Sequence, residues 1–387
     1  MNNPASIPAS QLKRARLAVM AIFFSNGALL ASFYPHVPYI QEKHQLSEGV
    51  LGLALLSASI GAICMLLFTG WLISHFGSRV TTRVASLVYC CMLPLPILAP
   101  NLPLLMLSMV FFGASNSLMD VSMNTQAIAI EKGMQKPIIS SFHALFSLGN
   151  LAGAGLGAIS LSLGMIPGQH VLIVSAVIAV ILLVSIFYLL PSTYDGATQT
   201  TVFILPGKAL MVLSLIGLGS MLSEGAIGDW SAVYMRNNLA TSAALAASGF
   251  TAYSLTMTIG RITGDRLRAW LGSVRLVRYS AALACLGLGV ALVVGNPYVA
   301  ILGFALVGIG LSNIVPIVFS AAGNVPGVNA GTGIAAVASI GYLGGLAGPP
   351  VIGFTAQATS LPIALGFLVL ILGFITVFAG KIKTGTI

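Results

Sequence analysis

Charged side chains are the scarcest feature of this sequence. Asp, Glu, Lys and Arg make up 6% of the 387 residues, whereas about a quarter is usual in a soluble domain, and 57% of the residues are hydrophobic. So few charges cannot cover a water-facing surface of this size, which excludes a soluble enzyme or binding module. The hydrophobic runs match the roughly 20 residues of a membrane-spanning helix, and the alternating polarity of membrane-spanning strands is missing. The composition therefore predicts an all-α membrane protein.

Cysteines and catalytic motifs are also scarce. The four cysteines lie in apolar segments without metal-binding or redox spacing, so they are expected to pack as small hydrophobic side chains. No nucleotide-binding loop, zinc-binding spacing or nucleophile motif is present, and the loops are too short to hold a catalytic domain. We therefore predict no cofactor, no metal site and no enzymatic activity. The N-terminal apolar run has no cleavage site, which indicates a retained first helix.

Apolar runs between polar or Gly/Pro breaks predict twelve membrane helices. The stretch PSTYDGATQTTVFILP has the composition of a domain linker and divides the helices six and six. We predict an N-terminal half over residues 1–190, a cytoplasmic linker over 191–206 and a C-terminal half over 207–387. The predicted helices run at about 15–39, 49–75, 80–99, 104–129, 138–164, 169–190, 208–234, 242–265, 274–294, 298–321, 330–356 and 361–380.

The basic residues orient the chain, because cytoplasmic loops of membrane proteins retain Lys and Arg. With both termini in the cytoplasm, 15 of the 17 basic residues lie on the inner side, and only Lys43 and Arg236 lie outside. The net charge of +9 therefore indicates topology and contact with anionic lipid headgroups of the bilayer. It requires no nucleic-acid partner.

A repeat with a constant offset of 195 residues relates the two halves. The segment LGNLAG at 148–153 returns as LGGLAG at 343–348. Glycines at 149, 153 and 157 recur every four residues, a spacing that lets helix backbones approach closely in lipid. We interpret them as packing positions, with a sliding seam between moving halves as the second interpretation. Three single residues also repeat: Gly77 as Gly272, Arg83 as Arg278 and Gly113 as Gly308.

Two loop segments at corresponding places resemble the signature Gly-x-x-x-Asp-Arg-x-Gly-x-Arg/Lys-Arg/Lys. The first, GWLISHFGSR at 70–79, keeps both glycines and one arginine but lacks the Asp-Arg pair; the second, GRITGDR at 260–266, has stretched spacing before Gly272. With twelve predicted helices, related halves and a middle linker, the sequence resembles the major facilitator superfamily over its whole length. The resemblance implies two pseudo-symmetric six-helix halves. It assigns a conformational role to Gly70, Gly77, Arg79, Arg83, Arg261, Asp265 and Arg266.

The first loop copy has Ser74 where the family has an acid, so Asp265 with Arg261 or Arg266 is expected to carry the charge lock alone. Two further elements, EGAIGDW at 224–230 and HALFSLG at 143–149, are similar to a poorly characterised bacterial branch of the superfamily. This resemblance implies transport in the bacterial inner membrane, and it supplies no substrate.

Acidic residues inside the predicted helices are functional candidates, because a charge in hydrocarbon costs at least about 2.5 kcal/mol. Asn116, Asp120 and Asn124 have the spacing i, i+4, i+8 and therefore share one helix face. The resemblance places this face on the central cavity, and the alternative is an interhelical hydrogen-bond seam. A carboxyl group in apolar surroundings can take up a proton near neutral pH. We predict Asp120 and Glu224 as coupling or substrate-binding acids.

Further candidates are polar or aromatic residues at membrane depth. Asp229 lies near the outer interface, where Trp230 fits an aromatic belt. His143 is predicted as a proton relay or as a packing histidine. No Lys or Arg is expected to face the cavity, which argues against a strongly anionic solute. The predicted set is completed by Asn26, Asn313, Tyr34, Tyr253 and Tyr342, which can bond or stack on a solute.

These features predict a secondary active transporter that works by alternating access. The amides, carboxylates and aromatics favour a small polar solute such as a sugar or related metabolite, moved by symport with a proton or sodium. The protein is expected to be a monomer in the inner membrane with both termini in the cytoplasm. A drug or metabolite efflux antiporter is the alternative within transport. A non-transporting membrane sensor is the alternative from another class, although only about seven residues follow the last predicted helix.

Overall fold

The computed structural model describes residues 7–136, 138–195, 205–208 and 210–382. The predicted linker, 191–206, lies partly outside these ranges. Within them the regular structure is helical and no strand is present, which confirms the all-α class. The helices are α1 (Ala9–Phe33), α2 (Val37–His44), α3 (Glu48–Met92), α4 (Pro94–Leu98), α5 (Leu102–Met134), α6 (Ile139–Ser162), α7 (Pro167–Ser185), α8 (Met211–Val233), α9 (Ala243–Leu271), α10 (Ser273–Val294), α11 (Pro297–Leu311), α12 (Ile314–Ala322), α13 (Ala330–Ala358) and α14 (Leu361–Phe378).

Ten stretches of the described residues are long and apolar enough to cross a membrane. The predicted count of twelve stays a prediction. One of the ten stretches, Glu48–Leu98, contains the kinked helix α3. Helix α9 is not among the ten, because its hydropathy is too low. Four charged residues in the C-terminal part of α9 account for its lower hydropathy.

Gly77 separates the two helical parts of α3. Its φ of 79° and ψ of 155° lie in a region that glycine occupies without a Cβ penalty. Gly272, one repeat later, has φ 76° and ψ 158° and separates α9 from α10. The two turns thus have the same backbone conformation, as the 195-residue repeat predicts.

The predicted helix at 298–321 is interrupted. Pro316 has no N–H to donate to the carbonyl of Ser312, so the backbone ladder breaks between α11 and α12. Asn313 lies in the break, and the ladder resumes with the bond from Ile317 N to Asn313 O at 3.2 Å. In α13, by contrast, Pro349 and Pro350 lie inside one helix.

The chain forms two compact units. Unit 1 comprises residues 1–33, 57–156 and 165–201, and unit 2 comprises residues 34–56, 157–164 and 202–387. Unit 2 contains two segments of the predicted N-terminal half, 34–56 and 157–164, whereas unit 1 contains no segment of the predicted C-terminal half. The proposed six-plus-six division stays a prediction.

In unit 1, glycines bring helix backbones into direct contact. A Cβ on Gly113 of α5 would overlap the carbonyl oxygen of Ala58 of α3, and one on Gly149 of α6 would overlap that of Phe24 of α1. Small residues at such crossings allow the close packing that replaces hydrophobic drive in lipid.

In unit 2, similar contacts recur at or within one residue of the repeat offset. Gly308 of α11 lies against the carbonyl of Tyr253 of α9, and a Cβ on Gly344 of α13 would lie 2.6 Å from Leu218 O of α8. Gly308 lies 195 residues after Gly113, and Tyr253 lies 195 residues after Ala58, so the two contacts occupy equivalent positions of the repeat. The glycines therefore serve backbone packing in both units.

Candidate functional site

An ion pair inside unit 2 joins helices α8 and α9. Nη2 of Arg261 on α9 donates to Oε2 of Glu224 on α8 at 3.4 Å. The two side chains are 31% and 24% exposed, so each is half-buried. The expectation that no Lys or Arg faces the cavity stays a prediction. Arg261 and Asp265 were both predicted to belong to the loop motif. Arg261 pairs with Glu224, whereas Asp265, one turn further along α9, is exposed.

Aromatic side chains lie beside this ion pair. Tyr253 lies in α9 and is 6% exposed. It interacts electrostatically with both Glu224 and Arg261. Its ring stacks on Phe250 at a centroid distance of 5.7 Å, and Phe250 contacts Tyr34 at 4.7 Å. The structure thus brings three predicted residues, Tyr34, Tyr253 and Glu224, into one cluster.

Asp229 joins the cluster through Tyr34. The Tyr34 ring packs against α8 at Gly228, where a Cβ would lie 3.0 Å from it, and the phenol interacts electrostatically with Asp229. Asp229 is only partly buried. We call Tyr34, Glu224, Asp229, Tyr253 and Arg261 the acid–arginine cluster.

The break between α11 and α12 positions Arg261. Asn313, 8% exposed, donates from Nδ2 to Gly260 O at 3.1 Å and to Ser312 Oγ at 2.9 Å. Any side chain at Gly260 or Gly264 would overlap Ser312 or Asn313. The glycines of the second loop motif therefore admit the α11–α12 break, and Asn313 holds the backbone one residue before Arg261. Sequence reasoning missed this role, because only the local Gly spacing was visible.

A second polar group lies in unit 1. Asn26 of α1 donates to Asn116 of α5 at 3.1 Å, and Asn124 donates to the backbone oxygen of Asp120 at 2.8 Å and to its Oδ1 at 3.3 Å. Asp120 is partly buried. Asn26 and Asn116 therefore join α1 to α5, whereas Asp120 and Asn124 are bonded to each other within α5.

Three other predicted residues lie in different surroundings. The exposed His143 of α6 presents its ring edge-to-face to Phe23 of α1 at 5.3 Å. Tyr342 of α13 is 48% exposed. Trp230 is completely buried, and its indole N–H has no hydrogen-bond partner within the described residues. The aromatic-belt interpretation of Trp230 is therefore wrong, because its ring packs inside unit 2.

The first loop motif is held by an acid from another part of the chain. After Gly77, the N–H of Ser78 donates to Asp195 Oδ2 at 2.7 Å, and the Ser78 hydroxyl donates to Oδ1. The fully buried Gln126 of α5 donates to Ser78 Oγ at 2.6 Å and to Leu190 O at 3.1 Å. Asp195 thus supplies a carboxylate at this turn, where Ser74 cannot.

Arginines of the motif tie the same turn to the end of α7. Arg83 Nε donates to Ile186 O at 2.8 Å, and Arg79 Nη2 donates to Phe187 O at 3.3 Å. In unit 2 the guanidinium of Arg278 lies beside Gly380, where a Cβ would be 3.2 Å from Nη2. Gly70 lies within α3, and Arg266 is exposed.

Replacing Asp195 is expected to destabilise unit 1. Asp195→Ala removes the acceptor of two hydrogen bonds and leaves the buried Ser78 N–H without one, a cost of about 1–3 kcal/mol. We expect a lower melting temperature in detergent, measured with the full chain. Asp265→Ala, at an exposed position, is the control. Equal melting temperatures for the two variants would show that the Asp195 bonds contribute nothing.

Comparisons with known proteins agree with this architecture. Residues 19–349 match the sequence family described as Major Facilitator Superfamily. The chain belongs to the Major Facilitator Superfamily. It is therefore a multi-pass integral membrane protein of a transporter family and not an enzyme, and its MFS fold is confirmed.

Similar relatives come from several bacteria. An uncharacterised MFS-type transporter of Yersinia pestis is 35% identical over 366 residues, covering 94% of this chain and 93% of the relative. The membrane protein MosC of Rhizobium meliloti is 32% identical, covering 91% of this chain and 86% of its own length. An uncharacterised transporter of Sinorhizobium fredii is 31% identical, covering 94% and 97%.

Solved structures similar to this MFS chain include crystal structures of the nucleoside transporter NupG. A variant of NupG superposes with a TM-score of 0.74 at 13% identity, covering 95% of this chain and 98% of NupG. The unmodified NupG structure has a TM-score of 0.71 at 14% identity, with the same coverage. This likeness shows the fold.

Proposed function

We propose that this MFS protein is a secondary active transporter that moves a small polar solute by alternating access, coupled to a proton or to sodium. It works as a monomer in a bacterial inner membrane. The distribution of basic residues favours a cytoplasmic position for both termini. The observation that carries the proposal is the acid–arginine cluster. A half-buried ion pair between two helices at membrane depth is costly and needs a functional reason.

The chemistry of the cluster favours a solute that offers both donors and acceptors. Glu224 accepts hydrogen bonds and Arg261 donates them, while the phenols of Tyr34 and Tyr253 do either. At 3.4 Å the ion pair is a single long contact, so neighbouring hydroxyl groups of a solute could exchange for it. Vicinal hydroxyls of a sugar or related metabolite fit this arrangement.

A nucleoside is a specific member of this hydroxyl-bearing class. Its base would find an aromatic surface at Phe250 and Tyr253, whose rings are stacked. The fold neighbours NupG are nucleoside transporters. Nucleosides therefore stand beside sugars among the first compounds to test.

Coupling is assigned to carboxyl groups because protonation changes their charge and their partners. A proton on Glu224 would release Arg261, and a proton on Asp120 would change its bonding with Asn124. Only a difference in affinity between the two states of the transporter can convert such binding into movement. The two acids lie in different units, Asp120 in unit 1 and Glu224 in unit 2.

Uptake into proteoliposomes tests this function. Thermal stabilisation by sugars, nucleosides and hydrophobic cations first selects a ligand, because a ligand that binds only the folded state raises the melting temperature. The labelled ligand is then offered with and without an imposed pH or sodium gradient. We expect uptake driven by one gradient, and a loss of at least about ten-fold in Asp120→Asn and Glu224→Gln, a factor that corresponds to roughly 1.4 kcal/mol. Wild-type rates in both variants across pH 5–8 would exclude these acids from coupling.

The same assay separates the alternatives. An efflux antiporter exports a hydrophobic cation against the proton gradient, and the acids and aromatics of unit 2 are compatible with such a ligand. A sensor binds its ligand without moving it. Ligand stabilisation without uptake or export would therefore favour the sensor.

A further inference from the structure

Two cations of unit 2 lie at adjoining helix ends. The guanidinium of Arg278, near the start of α10, packs against Gly380, where a Cβ would be 3.2 Å from Nη2. Lys381 is the next residue, in the turn Ala379–Lys381 that follows α14, and both cationic side chains are exposed. We propose that Arg278 and Lys381 form a binding site for the phosphate of one anionic phospholipid at the membrane surface. This site is separate from the acid–arginine cluster and goes beyond the proposed transport function.

The two cations lack an anionic partner of their own. Among the residues that the structure describes, neither Arg278 nor Lys381 makes a side-chain hydrogen bond or an ion pair. Neighbouring charges of the same sign repel each other, and this repulsion opposes the folded state. A bound anion would remove the repulsion, so the pair favours a ligand with a negative charge.

The repeat shows that packing does not require this pair. Arg278 is equivalent to Arg83 and Lys381 to Ile186, since each lies 195 residues after its counterpart. In unit 1, Arg83 Nε donates to Ile186 O at 2.8 Å, so the arginine is bonded to the main chain of its own unit. In unit 2 a lysine replaces the isoleucine, and the described residues show no equivalent bond. The second copy thus has one more cation and one fewer internal partner.

Apolar side chains beside the pair favour a lipid over a soluble anion. Tyr279 follows Arg278, and Val377 and Phe378 precede the turn that contains Lys381; all three are exposed large side chains. The basic residues place these helix ends on the cytoplasmic side, where anionic headgroups attract Lys and Arg. Arginine can hold a phosphate with two parallel hydrogen bonds, and lysine adds a point charge. The headgroup would therefore contact the cations, and the acyl chains the apolar side chains.

Melting temperatures of the full chain in a neutral detergent test the site. Phosphatidylglycerol is titrated into the protein, because a ligand that binds only the folded state raises the melting temperature. Phosphatidylcholine with the same acyl chains and inorganic phosphate are the two comparison ligands. We expect stabilisation by phosphatidylglycerol alone. Equal stabilisation by phosphatidylcholine would show that the negative charge is not recognised, and equal stabilisation by inorganic phosphate would show that no lipid is needed. Either result overturns the proposal.

Single substitutions separate the site from general surface charge. Arg278→Gln and Lys381→Gln should each weaken the apparent affinity for phosphatidylglycerol at least about ten-fold, as expected for loss of a charge-assisted hydrogen bond. Arg275→Gln is the matched control, because Arg275 is an exposed cation of the same helix, one turn before Arg278. It should lose less than about two-fold, since a charge without a direct bond is screened by salt. Equal losses in Arg275→Gln and Lys381→Gln would overturn the proposal.

A charge reversal covers the case in which Arg278→Gln does not fold. Lys381→Glu supplies an acid beside Arg278, so the melting temperature without lipid should equal or exceed that of the wild type. Phosphatidylglycerol should then no longer stabilise the protein, because the arginine is paired and the added carboxylate repels the phosphate. Stabilisation of this variant to the wild-type extent would overturn the proposal. No solute enters these measurements, so their failure would leave the transport function standing, and failed uptake would leave the lipid site standing.

Discussion

Gly113→Ala is expected to destabilise the protein, although alanine ordinarily stabilises a helix. The new Cβ would overlap the carbonyl oxygen of Ala58, an atom of the neighbouring backbone that no side-chain rotation can move. Helices α3 and α5 must therefore separate, at a cost of about 1–3 kcal/mol for overpacking. The ordinary gain from Gly to Ala in a helix is about 1 kcal/mol and has the opposite sign. The melting temperature of the purified chain should therefore fall, and Gly113→Leu should yield little folded protein.

Gly366→Ala is the matched control for this experiment. Gly366 lies in α14, and a Cβ at that position meets nothing within 4 Å. Its replacement should leave the melting temperature unchanged or raise it. Gly61→Ala should resemble Gly113→Ala, because it faces the carbonyl of Val110 across the same pair of helices. Equal stability of Gly113→Ala and Gly366→Ala would mean that the backbones are not in contact.

The packing scaffold was predictable because its signal repeats in the sequence. The equal conformations of Gly77 and Gly272, and the matching contacts of Gly113 and Gly308, follow the 195-residue offset. Hydrophobic runs predicted the helices, since their lengths reflect the thickness of the bilayer. Both signals are local or periodic, and one sequence is enough to show them.

The partners of the charged groups were not predictable in the same way. Arg261 lies beside Glu224 because Asn313 holds α9 at the break between α11 and α12, an arrangement of residues distant in sequence. Asp195 accepts hydrogen bonds from Ser78 at the first loop motif although it lies more than a hundred residues further along the chain, and no spacing rule shows this. Trp230 was misplaced because a tryptophan near a helix end suits an interface and a core equally well.

The acid–arginine cluster also departs from the repeat. Tyr253 occupies the position equivalent to Ala58, and Glu224 that of Leu29, so the shared backbone contact carries different side chains in the two units. The scaffold is therefore symmetric at its glycines and asymmetric at its polar groups. This asymmetry supports a solute-binding role for unit 2 residues, because packing alone does not require it.

Arg261→Gln is expected to reduce coupled uptake strongly and to lower stability. Without the guanidinium, Glu224 keeps a half-buried carboxylate that has lost its cationic partner, at a cost of about 1–3 kcal/mol. Transport should fall at least about ten-fold, equivalent to roughly 1.4 kcal/mol in the rate-limiting step. Arg275→Gln, at an exposed position outside the predicted site residues, is the control and should behave like the wild type.

The double variant Glu224→Gln with Arg261→Gln isolates the interaction between the two groups. Its loss of stability should be smaller than the sum of the single losses by about 0.5–3 kcal/mol, because removing both charges leaves none unpaired. Melting temperatures of the four proteins measure this difference. Transport should stay low in the double variant, since a neutral amide neither binds a proton nor releases an arginine. Additive losses of stability would show that the 3.4 Å contact contributes nothing to folding. Uptake restored by the double variant would show that the pair holds the helices together without coupling transport to an ion.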